Sequence, residues 1–273
     1  MPEVRPDGAF VDASGAPQLL RCVVLFLDIL GVSDMALDHA RRDRNLVELD
    51  RALRRSTRDF LSEDSPWPSA LLSDALVVAD ATGPSFDDVM ALNEMLIQTA
   101  LLQLQLASHG FFARGAISIG PHHVHDGMVF GPALVEAYRL ESQRALTPRV
   151  ILSPEACKIL RADMKEVTAP DETTQADLLR VDQDGIVFID YLKVLLDEVD
   201  PIDDLSKHRS LVEAKLAETK NESRKWGKYR WVAEYHNDFC ERLGRDELCI
   251  VSRDASPGFQ EFGLSQNAAD AGR

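Results

Sequence analysis

One apolar run, Cys22-Val23-Val24-Leu25-Phe26-Leu27-Asp28-Ile29-Leu30, constrains this chain most, because a single carboxylate, Asp28, interrupts it. The β-branched and aromatic content, closed by Gly31, predicts a central strand buried on both faces. An unpaired carboxylate there costs several kcal/mol, so a cation or strong donors must stand beside it. The anomaly recurs at Asp74, flanked by Leu71, Leu72, Leu76, Val77 and Val78. If the two strands are neighbours, the carboxylates meet at one sheet edge and form a site for hard divalent cations, which prefer oxygen ligands. The plainer reading is that each Asp caps a turn, but turn use alone does not require Asp inside such apolar flanks.

The surrounding pattern alternates strand and helix. Helical periodicity runs from about Leu46 to Leu61, and Ser69 to Ala79 reads as two short strands reversing at Ser73-Asp74. Ser85 with Asp88 resembles a capping box for a long helix through Val89, Leu92, Leu96, Leu102 and Leu106, closed by Gly110, with Gln98, Gln103 and Gln105 toward water. Ala113 to Gly120 alternates as a strand, Pro121 to Gly127 reads as a polar hairpin, and Met128 to Phe130 as a short strand. Pro132 opens a helix to about Arg144, Arg149 to Leu152 is a strand, and Pro154 to Leu160 a short helix. The order predicts an α+β fold with helices on one face of a largely antiparallel sheet. Beyond Ala162 a hairpin is expected around Asp182 to Gly185, then helices around Leu205 to Thr219 and Glu222 to Cys240. Four segments follow: a flexible N-terminus (1–20), a main domain (21–162), a C-terminal extension packing on it (163–255) and a fraying tail (256–273).

Charge narrows the function. With 45 acidic and 30 basic side chains the chain carries −15, which repels a nucleic-acid backbone and excludes a general nucleic-acid binder or a polymerase needing a basic template groove. Most of that surplus lies between Asp163 and Asp204, so the remainder can hold a small anion with help from a metal. No apolar run reaches the roughly 18 residues of a membrane span. The first residues lack a signal peptide's apolar core. A cytoplasmic protein is expected, its four cysteines ordinary reduced thiols.

The residues also resemble a known family. Phe26-Leu27-Asp28-Ile29-Leu30-Gly31 resembles the FxDIxGF motif of class III nucleotide cyclases, Ser73-Asp74-Ala75 their second metal-binding Asp, and Gly131 to Glu141 their helix ending in A-x-R-L-E. The resemblance implies a ferredoxin-like βααββαβ domain, with a C-terminal hairpin and helical extension, working as a head-to-tail homodimer with shared active sites. It further implies that Asp28, Asp74 and the Ile29 carbonyl hold two Mn2+ or Mg2+ ions. Phe26 and the turn Leu30-Gly31-Val32 would line the nucleotide, that turn offering N–H groups to the triphosphate. Arg139 would cross the interface as an arginine finger.

Where purine cyclases carry Lys, a polar residue and Asn for base and ribose, this chain has Ala70, Met128 and Val135. Lys228 to Asn237, following Asp182 to Tyr191, resembles the pyrimidine cyclases of bacterial Pycsar antiphage systems. That implies conversion of UTP to 3′,5′-cyclic UMP and pyrophosphate, with CTP the alternative, the product acting on a separate effector. A non-catalytic nucleotide-binding or dimerisation module on the same fold is the competing class. Other residues read more plainly: His122, His123 and His125 as solvated, and Arg114 as the partner of an acid at its strand end, within possible reach of a phosphate. Trp226, Tyr229, Trp231 and Tyr235 read as core or dimer packing.

Overall fold

The computed structural model describes residues 10–57, 67–72, 74–83, 86–166, 175–197, 201–250 and 259–263. The apolar run forms the central strand β1 (Leu20–Ile29), and Ser69–Leu72 (β2) and Ala75–Ala81 (β3) form the expected hairpin beside it. Strand β4 (Ala113–His125) lies on the other side of β1, antiparallel to it. The remaining strands are β5 (Met128–Phe130), β6 (Val150–Leu152), β7 (Leu179–Val181), β8 (Val187–Ile189) and β9 (Gln260–Glu261). They complete a nine-stranded sheet in the order β2-β3-β1-β4-β6-β8-β7-β9, with β5 paired to β4. Among the described residues, only the β4–β6 pair is parallel. The fold is thus α+β, its sheet mostly antiparallel.

The helices are α1 (Val32–Leu37), α2 (Arg42–Ser56), α3 (Asp88–Ser108), α4 (Pro132–Gln143), α5 (Pro154–Glu166), α6 (Ile202–Thr219) and α7 (Ser223–Arg242). They cover both faces of the sheet, not one. Alternate residues of a strand face opposite ways. Val23, Leu25 and Leu27 accordingly join Leu92, Met95 and Leu96 of α3 in the main core, whereas Cys22 and Val24 meet Ala133 of α4 in a second cluster. A central strand that is apolar on both faces cannot tell which helix goes where; connection geometry decides it.

Other boundaries moved for local reasons. Helix α2 begins at Arg42, earlier than periodicity placed it, and residues 58–61 of the expected helix lie outside the described residues. Helix α3 is capped by Asp87, whose side chain accepts the Met90 N–H; Ser85 is outside the described residues, and Asp88 instead pairs with Arg21 at 2.8 Å. Gln103, expected in water, is buried. Helix α5 runs six residues past Leu160, so the boundary drawn at Ala162 falls inside it.

Strand β4 runs on to His125 through the expected polar loop, which leaves only Asp126-Gly127 to reverse the chain and buries His122 and His123. Within the N-terminal segment expected to be flexible, Phe10 is buried and its carbonyl accepts the Gln18 N–H at 2.9 Å.

The elements beyond α5 continue the sheet. Several of their acids are structural: Asp190 is fully buried and accepts from Tyr235 Oη at 2.6 Å and Arg242 at 2.8 Å. Asp182 accepts from Trp231 Nε1 at 2.8 Å and pairs with Arg149, which also meets Asp184 at 2.5 Å. These bonds lock α7 onto the β7–β8 hairpin. Tyr229, Trp231 and Tyr235 are buried, with Trp231 and Tyr235 stacked 5.5 Å apart. No described helix is long and apolar enough to cross a membrane.

Candidate active site

Two neighbouring strand ends carry Asp28 and Asp74. Asp28 is registered against Ala75 on one side and Arg114 on the other, and the Ile29 N–H donates to the Asp74 carbonyl at 3.1 Å. A strand residue points its N–H and C=O to the same side. The Ile29 carbonyl therefore faces Asp74 as well. The strands that carry Asp28 and Asp74 are thus neighbours, with the two residues at adjacent ends.

Asp28 is partly buried, its side chain 21% exposed, on the face that α4 covers. Burial pushes its carboxyl up from the usual range, and the hydrogen bond from Arg114 Nε at 3.2 Å opposes that shift. The negative charge of Asp74 also acts on it. Arg114 Nε lies 2.7 Å from Glu141 as well, a carboxyl only 3% exposed that burial likewise pushes up. Arg114 thus pairs with an acid at its strand end, as its position implied, and with a second on α4. Glu141 closes the A-x-R-L-E stretch and was not singled out. Its signal was available, because Ala133, Ala137 and Glu141 recur every four residues and all three face inward.

The turn after β1 is more constrained than expected. Gly31 adopts a left-handed conformation (φ 87°), suited to glycine, and leads into α1. The Leu30 N–H is already given to the Phe112 carbonyl at 2.9 Å, so it does not present itself to an anion. Helix α1 spans only six residues, with Val32 first. Phe26 lies on the Asp28 face, its ring edge-on to Tyr138 of α4 at 5.5 Å.

Arg139 does not join this group within its own chain. Tyr138 and Glu141 turn toward the sheet side, and Arg139 is exposed, lining an open cavity of about 690 Å³ with Val129, Phe130, Val135 and Arg144.

A hard divalent cation fits the donors. Two carboxylates and a carbonyl meet at one partly exposed edge, and Mg2+ typically takes one or two carboxylates and completes its shell with water and phosphate oxygens. Among the described residues, no group of three or more His, Cys, Asp or Glu side chains is arranged to hold a metal by itself.

No protein-family model matches the chain, and no curated protein does. Solved structures do resemble it. The adenylyl cyclase CyaB from P. aeruginosa is 18% identical over 63% of this chain and 93% of its own, with a TM-score of 0.41. A class III adenylyl cyclase-like ATP-binding protein from Pseudomonas aeruginosa is 14% identical over 58% of this chain, with a TM-score of 0.39, and only 38% of its length is covered. The guanylyl cyclase Cya2 is 11% identical over 51% of this chain and 78% of its own, with a TM-score of 0.37. Likeness at this level leaves the reading of the site to its own residues.

Proposed function

We propose that the chain is a nucleotidyl cyclase acting on a pyrimidine triphosphate, UTP before CTP. The observation that carries this reading is the meeting of Asp28 and Asp74 at adjacent strand ends, with the Ile29 carbonyl turned the same way. Asp28, Asp74 and Ile29 hold Mn2+ or Mg2+, two ions per site, and such ions when bound lower the pKa of an attacking hydroxyl and polarise the phosphate. Gly31 and Val32 shape the turn beside the phosphates, and Phe26 packs behind them. The ribose 3′-oxygen attacks the α-phosphorus in line, its proton passes to solvent, and the bond to the β-phosphate breaks. Pyrophosphate leaves with that electron pair, and a 3′,5′-cyclic nucleotide remains.

Arg139, exposed on its own chain, serves the site of a second copy, where it stabilises charge gathering on the α-phosphate. A cytoplasmic homodimer with two shared sites follows. The motif resemblance, together with Ala70, Met128 and Val135 at the purine-reading places, supports a pyrimidine base. It also supports a second messenger of antiphage defence that acts on a separate effector.

The test is incubation of the purified protein with each of the four NTPs and Mn2+, followed by product mass analysis. Cyclic UMP with pyrophosphate is expected from UTP, and Asp74→Ala should lower turnover at least about a hundredfold, as loss of a transition-state charge contact does. Pyrophosphate from none of the four would refute the reading. Nucleotide that binds but stays intact would favour the non-catalytic module.

A further inference from the structure

The C-terminal helix carries a cation toward this end of β1, from outside the stretches 26–31, 73–75 and 131–141. Helix α7 is fixed at its far end by Asp182 and Asp190, and its first half reaches the end of β1. Tyr229 meets the ring of Phe112 edge-on at 5.7 Å, and Phe112 is the residue whose carbonyl takes the Leu30 N–H. One turn earlier, Lys225 Nζ pairs with Asp34 of α1 at 2.9 Å. Lys228 lies between these two anchors, three residues after Lys225 and so on the same side of the helix.

Lys228 is the unusual member of its group. It is half-buried and forms no ion pair among the described residues, whereas Lys158, Lys193, Lys215 and Lys225 each form at least one and the other unpaired lysines, Lys165, Lys207 and Lys220, are exposed. Burial lowers its pKa, and the charges of Arg114 and Arg224 lower it further, while Asp28 and Glu141 act in the opposite sense. The two carboxylates that act on it are already paired with Arg114, at 3.2 Å for Asp28 and 2.7 Å for Glu141, so this partly desolvated ammonium lacks a counter-ion of its own. An arriving anion supplies one.

We propose that Lys228 is a substrate-binding residue that holds the terminal phosphates of the nucleoside triphosphate, so that the C-terminal extension completes the site. The inference rests on the cyclase reading and extends it to a residue of the C-terminal extension to which that reading gives no role. A lysine suits the task as a compact point charge on a flexible stem, able to follow the β- and γ-phosphates.

The test uses 3′-deoxynucleoside tri-, di- and monophosphates of the four bases, which lack the attacking hydroxyl and cannot cyclise. Their binding to the full chain with Mg2+ is measured by calorimetry. Lys228→Met should weaken the triphosphate about tenfold or more, as loss of a charge-assisted contact does, while the monophosphate changes less than about twofold. Lys228→Arg, which keeps the charge and guards against a folding defect in the first variant, should recover most of that loss. Equal weakening of all three nucleotides, or none, overturns the role of Lys228 while leaving the cyclase reading intact. A wild-type chain that binds no nucleotide overturns both.

Discussion

Asp28, Arg114 and Glu141 show what a single residue type in the wrong place can disclose. A carboxylate inside an apolar run demanded a cation or strong donors, and the sequence offered a metal edge shared with Asp74 or a plain turn cap. The structure supplies a protein cation directly, since Arg114 reaches Asp28 across the β1–β4 ladder. The helical spacing of Ala133, Ala137 and Glu141 turns Glu141 inward, but its partner, 27 residues away on another element, is not legible from that spacing. The approach of β1 to β4 is tight here. A Cβ on Gly115 would lie 2.4 Å from the Phe26 carbonyl oxygen and 3.1 Å from Leu27 Cα, and neither backbone atom can move aside easily. Gly115→Ala should therefore cost about 2 kcal/mol or more by strain, read as a lower denaturation midpoint. Unchanged stability would show that the two strands separate more readily than this packing implies.

Elements were legible where periodicity and punctuation agreed, and illegible where burial overrode polarity. The hairpin of β2 and β3, the long helix α3 and the Pro-initiated α4 follow from pattern alone. The extension of β4 does not, because His122 and His123 look like loop residues until the sheet encloses them. His122 has no hydrogen-bond partner on either ring nitrogen among the described residues, and burial lowers its pKa to about 4. Between α6 and α7, His208 and His236 stack with their Nδ1 atoms 3.1 Å apart, and burial lowers both of their pKa values as well. These imidazoles stay neutral in the fold but take up protons when the chain unfolds below pH 6.5. Their contribution is complete above that pH and shrinks as pH falls below it. His122, its pKa lowered to about 4, should subtract up to about 1.4 kcal/mol per pH unit between 6.5 and 4. Urea midpoints measured at pH 7.5 and 5.5 should differ accordingly, and His122→Asn should reduce the difference. Equal midpoints would contradict the burial of these rings.

At the scale of the whole molecule, the charge imbalance has changed meaning. The acidic stretch between Asp163 and Asp204 looked like surplus, yet Asp182, Asp184 and Asp190 are spent on Arg149, Arg242, Trp231 and Tyr235. Their effect is to orient α7, and through it Lys228. Arg139 points the other way, out of its own chain. A homodimer with shared sites makes a distinct demand: Arg139→Ala and Asp28→Ala, each nearly inactive alone, should regain about a quarter of wild-type turnover after mixing and subunit exchange, because one site in each mixed dimer is then whole. No recovery from verified mixed dimers would count against that geometry.

The sheet itself carries a consequence for anyone who would take this chain apart. Strand β6 joins the motif-bearing strands to β8, so a cut after α5 would strip Ile151 of its partner Phe188 and open a raw edge of N–H and C=O groups. A shortened piece built around Asp28 and Asp74 would keep the stretches 26–31, 73–75 and 131–141, lose Lys228 with its helix, and gain a template for strand-to-strand aggregation. The natural unit for transplantation is the complete sheet, with its last helix still attached.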